Sequence, residues 1–118
     1  MLAACGEKAF PGKPDLPQSV SPGWVMKSYE RAAAPEGLPA GVQPQCWKAD
    51  YSGAQNGSAE VWVCGYQQGS SAFNAMQRAR AAANTVKFQK NQFLVMVRWN
   101  GSSRTDLVAL MRVLEKSL

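Results

Sequence analysis

One order of elements occurs twice in this chain, and it constrains the fold more than any other feature. A strand-like run, a turn, a second strand-like run, Gly-Ser-Ser and a helical stretch occupy residues 45–83. The same order returns over residues 85–118, with the second Gly-Ser-Ser 32 residues after the first. In the first copy the strands are Gln45–Tyr51 and Ala59–Tyr66, separated by Ser52-Gly53-Ala54-Gln55-Asn56-Gly57-Ser58. Its Asn-Gly step is a hairpin turn signal. In the second copy they are Thr85–Gln89 and Gln92–Trp99, turning at Lys90-Asn91.

Each hairpin runs into a helix. Gly69-Ser70-Ser71 opens one that extends to about Ala83, with Ala72, Ala75, Ala79 and Ala82 at helical spacing and Phe73 and Met76 beside them. Small residues on that face let a helix sit close on a sheet. Gly101-Ser102-Ser103 opens the other, whose stripe is Leu107, Leu110, Met111, Leu114 and Leu118. Ser103 and Asp106 have the spacing of a capping box. Upstream, Trp24–Arg31 reads as an edge strand through Trp24, Val25, Met26 and Tyr29, although Ser21 and Pro22 also suit a helix start. Residues 32–45, with Pro35, Gly37, Pro39, Gly41 and Pro44, read as a loop.

These readings make an α+β domain over residues 24–118. The expectation is an antiparallel sheet of four or five strands in ββα-ββα order, with both helices on one face so that both apolar stripes are buried together. Residues 1–23 carry Pro11, Pro14, Pro17 and Pro22 with little apolar periodicity and read as an extended, poorly packed tether.

Pairing can be read residue by residue in the first hairpin. A turn centred on Gln55 places Cys46 directly opposite Cys64, at an antiparallel separation that a disulfide can span. The same register puts Trp47, Ala49, Tyr51, Val61 and Val63 on one face, and Cys46, Lys48, Asp50, Glu60, Trp62 and Cys64 on the other. It also sets Asp50 against Glu60, a like-charge pair. Stable disulfides belong to oxidising compartments.

The first residues contain Leu2-Ala3-Ala4-Cys5. This resembles the lipobox of bacterial lipoproteins. The resemblance implies cleavage after Ala4 and a lipid anchor on Cys5. Gly6 in the next position implies sorting to the outer membrane. Such signal peptides carry a charged and an apolar region ahead of the cut, and only Met1 precedes the match here. A periplasmic or cell-surface location, with the membrane as first partner, follows from the resemblance. A cytoplasmic location is the alternative.

The chain contains no histidine, which removes Ser–His and Cys–His nucleophile pairs and every histidine general base. Three cysteines alone do not make the usual four-ligand zinc site. Neither a metal nor any other cofactor is implied, and a non-enzymatic role is expected. Asp50 and Glu60 have a spacing that suits paired-carboxylate hydrolysis, but an open hairpin face has nothing to raise either pKa. Neither Gly-Ser-Ser segment matches a P-loop, and helix capping accounts for both, even with Arg104 beside the second.

The best binding candidate is Trp62 beside Lys48, on the face away from the predicted core, where they suit a sugar, a peptide or another partner. Packing of Trp62 under the 32–45 loop is the competing reading. A net charge of +5, carried largely by Arg78, Arg80, Lys87, Lys90, Arg98, Arg104 and Arg112, allows a second function class, a basic nucleic-acid- or anion-binding module. The aromatics such a module would expose, Phe88, Phe93 and Trp99, look like core residues.

Overall fold

The computed structural model describes residues 10–21 and 23–118. The chain is α+β, with six antiparallel strands in one sheet and two helices. The strands are β1 (Ser19–Val20), β2 (Trp24–Ala32), β3 (Gln45–Ser52), β4 (Ser58–Gly65), β5 (Thr85–Lys90) and β6 (Phe93–Asn100). Helix α1 (Gly69–Arg78) follows β4 and helix α2 (Arg104–Ser117) follows β6. In space the strands lie in the order β1-β2-β3-β4-β6-β5.

Several local expectations hold. Trp24–Ala32 is a strand. The first hairpin turns about Gln55, and Cys46 pairs with Cys64, Lys48 with Trp62 and Asp50 with Glu60. The turn is tight enough to need left-handed backbone at Gln55 and Asn56, with φ of 56° and 63°, which asparagine tolerates well. Gly53 is required there for a different reason: the ring of Trp24 packs against its Cα, where a side chain would collide with it. The second hairpin turns one residue later than expected, at Asn91-Gln92, so that Lys90 pairs with Phe93. Ser103 caps α2 by accepting from the Asp106 amide at 3.1 Å.

The sheet arrangement differs from the expectation in three ways. First, the two helices lie on opposite faces. Leu107, Leu110 and Leu114 of α2 pack with Trp47, Ala49, Tyr51, Val61, Val63, Val95 and Val97. Ala72 and Ala75 of α1 instead join Cys46, Cys64, Tyr66 and Leu94 in a second cluster on the other side. The physical reason stands in β6, where Phe93-Leu94-Val95-Met96-Val97 is buried at every position. A continuous apolar run marks a strand covered on both faces, and reading only its alternate residues conceals this.

Second, the strands do not neighbour one another in chain order: β6 stands beside β4, and β5 lies outside it. The fully apolar strand takes the interior position. The half-polar Thr85–Lys90, partly exposed along its whole length, takes the edge.

Third, the segment expected to be a loose tether is docked from Pro11 onward. Leu16 and Val20 are buried in the α2-side core. Ser19–Val20 forms the sixth strand, and the hydroxyls of Tyr29 and Tyr51 donate to the carbonyls of Pro14 and Pro17 at 2.6 and 2.7 Å. One 14-residue helix is only about 10–12 Å wide, too narrow to cover six strands spaced about 4.8 Å apart. The strap of residues 11–20 and α2 share this face: Tyr29 of β2 and Tyr51 of β3 bond to the strap, while the Trp24 indole of β2 donates to the Asp106 carbonyl of α2 at 2.9 Å. Proline suits this strap, which needs no ladder of its own beyond Ser19–Val20. Cys5 and the lipobox-like residues lie outside the described residues.

Candidate functional site

Helix α1 ends at Arg78, five residues short of the expected Ala83. At 1.5 Å per residue it spans about 15 Å, enough to cover the part of its face near the Cys46–Cys64 disulfide and no more. Two contacts mark its end. The Lys87 ammonium on β5 reaches up to the carbonyls of Met76 and Ala79 at 2.7 and 2.6 Å, placing a cation on the helix's unpaired C-terminal carbonyls. The Arg80 amide then donates to the Gly37 carbonyl at 2.9 Å. Gly37 has a φ of +97°, and a side chain there would strike the Arg80 carbonyl. Residues 32–37 thus cross over the sheet and meet the chain leaving α1.

The early stop leaves part of the face uncovered, and a groove of about 440 Å³ lies there. Its floor is Trp62, Met96, Lys48 and Arg98. One wall is Ala32, Ala33, Ala34, Pro35 and Glu36, and the other is Ala82 and Thr85. Trp62 is half-buried. It neither packs fully under the 32–45 segment nor stands free, since that segment walls the groove beside it. The two residues singled out from sequence, Trp62 and Lys48, are brought together as cross-strand partners. Arg98, Met96 and Ala32–Pro35 complete the site. The period-two pattern already placed Met96 and Arg98 on the face opposite Phe93, Val95 and Val97, but the position of β6 beside β4 needed the fold.

The charges are arranged as a lattice. The Lys48 ammonium contacts Glu60 at 2.7 Å and Asp50 at 3.7 Å. Arg98 donates from Nε to the other Glu60 oxygen at 2.8 Å, and its terminal nitrogen also reaches that oxygen. Ser28 donates to Asp50 at 3.0 Å. The like-charge pairing of Asp50 with Glu60 is therefore offset by a cation shared between them. The hydrogen bond from Lys48 and that from Arg98 hold the Glu60 carboxyl below its ordinary range, and the Glu60 hydrogen bond raises Lys48. A general acid needs the opposite shift, so Glu60 does not have the environment of a general acid. Both cations also lie 5.3 Å from the centre of the Trp62 ring, near enough for cation–π attraction.

Cys46 and Cys64 are disulfide-bonded, with Cα atoms 4.0 Å apart. They are almost wholly buried under α1 rather than lying on an open polar face. The described residues contain no helix long and apolar enough to cross a membrane. No protein-family model, curated protein or solved structure matches the chain.

Proposed function

We propose that the chain is a domain of a lipid-anchored cell-envelope protein, held through Cys5, that binds an envelope component or protein partner in the Trp62 groove. The observation that carries the binding part is a half-buried tryptophan on the floor of an open groove, held by two cations where α1 stops short. Binding sites are concave, largely apolar and furnished with a few convergent polar groups, and this groove has that make-up. The envelope part is supported by the lipobox-like Leu2–Cys5 and by a disulfide suited to an oxidising compartment. The direction of the chain is compatible with an anchor. Pro11 packs against Gly65 at one end of β4. Trp62 of the groove floor lies three residues along that strand, about 10 Å away.

A nucleic-acid module draws less support. Of the basic residues, Arg98 is paired with Glu60, Lys87 caps α1 and Lys90 holds the Glu115 carbonyl at 2.8 Å. These contacts tie the three cations to the fold.

Intact mass of protein taken from the native envelope, with and without reduction and with thiol alkylation, tests the anchor. The expected result is a lipid adduct on Cys5 and one reducible bond, and three free unmodified thiols overturn the reading. Retention on an envelope fraction tests the groove. The Trp62→Ala/Lys48→Ala protein is expected to lose it, and equal retention of parent and variant removes the proposed site.

A further inference from the structure

We infer that the groove takes an uncharged, N-acetylated sugar ring within a glycan chain. This rests on the reading of the groove as a binding site and goes further by naming its ligand class.

Charge is the first discriminator. The lattice holds two cations, Lys48 and Arg98, against two carboxylates, Asp50 and Glu60, and Glu36 adds a further carboxylate in the wall. Both cations are already engaged, so a phosphate or an acidic chain finds no free positive charge to repay its desolvation. A cationic ligand meets Lys48 and Arg98 flanking the aromatic floor. An uncharged ligand meets neither penalty.

Hydrogen-bonding capacity is the second. Lys48 and Arg98 offer donors, the Glu36 carboxylate offers acceptors, and the Thr85 hydroxyl offers both. A hydroxyl is itself both donor and acceptor. Neighbouring hydroxyls on a ring therefore match a lining that mixes ammonium, guanidinium, carboxylate and hydroxyl groups better than a ligand of one polarity does. The half-buried Trp62 indole supplies apolar contact for C–H groups of the ring.

Shape is the third. The lining carries Ala32, Ala33, Ala34 and Ala82, whose side chains are single methyl groups, with Pro35 and Met96 beside them. An acetamido methyl packs against such groups, whereas a large peptide anchor residue needs a matching pocket. An extended peptide could also be held by adding a strand to a sheet edge. The groove floor, however, is made by β3, β4 and β6, each paired on both sides, so there is no free backbone edge beneath it. The groove is open, so the ring can belong to a longer chain.

The test uses the full chain and a tetramer of N-acetylglucosamine as probe, with binding read by calorimetry and by tryptophan fluorescence. Saturable binding is expected, weakened at least tenfold by Trp62→Ala and by use of the de-N-acetylated tetramer. Ala33→Tyr, an exposed position on the wall, blocks the groove without touching the core and is expected to abolish binding, so misfolding of the tryptophan variant does not decide the outcome. If the tetramer fails to bind while Trp62-dependent retention on the envelope fraction persists, the sugar assignment is wrong and the binding-site reading stands. If neither is seen, both fall. Equal affinity for the acetylated and de-acetylated tetramers overturns the role assigned to the alanine wall.

Discussion

Reducing the Cys46–Cys64 bond is expected to cost the domain about 3 kcal/mol. The two cysteines are 18 residues apart in sequence. In the chain-entropy relation a loop of that length restricts the unfolded chain by about 11 cal/mol/K, or about 3 kcal/mol at 25 °C. The native state changes little on reduction, because two thiols in a dry cluster behave as small apolar groups and both cysteines are already covered by α1. The assay is urea unfolding with and without reductant, followed by circular dichroism. With a slope of about 1.5–2 kcal/mol/M for a domain of this size, the midpoint should fall by roughly 1.5–2 M. The slope itself should rise slightly, since the unfolded chain, freed of its cross-link, exposes more surface. The double variant Cys46→Ala/Cys64→Ala should fall further, because it also removes two sulfur atoms from a packed cluster. A reduced midpoint within about 0.5 M of the oxidised one, at equal slope, would refute the loop-entropy reasoning. It would mean that the hairpin is already held in the unfolded ensemble.

Two further outcomes follow from the packing and the charges. Leu16→Ala, in the strap that completes the α2-side core, should destabilise by about 2–3 kcal/mol, the lower part of the range for a buried leucine. A change below about 0.5 kcal/mol in chemical denaturation would show that the strap unfolds separately from the sheet. Glu60 has a depressed pKa because of the Lys48 and Arg98 hydrogen bonds, so its contribution is present above the ordinary carboxylate range and lost as pH falls through the lowered value. For a partly exposed pair this is about 0.5–1 kcal/mol. Glu60→Gln should flatten the acid limb of the stability profile by that amount, and an unchanged limb would remove the claim.

Legibility varied with the range of the interaction. The first hairpin was readable because its Asn-Gly turn and alternating residues specify a register, and the Cys46–Cys64 pairing and the two-sided face assignment follow from that register alone. Trp62 and Lys48 came forward for the same reason. The groove did not, because it depends on where α1 ends. The alanines at 79 and 82 favour helix locally, and only the tertiary contacts of Lys87 and Gly37 with the helix exit show why it stops at Arg78. The strap was hidden by composition, since four prolines read as a linker until the sheet beneath them is known to need cover.

The sequence by itself determined the α+β class, five of the six strands and both helices in outline, the first hairpin's register and the cysteine pairing. Period-two and period-3.6 burial patterns, turn chemistry and cross-strand geometry are all local. The tertiary structure decided which face each helix covers, which strand is interior, and how much of the Trp62 face stays open. Those outcomes depend on which apolar surfaces, distant in sequence, find one another. A strand apolar on both faces, as β6 is, says that it must be covered twice but not by what.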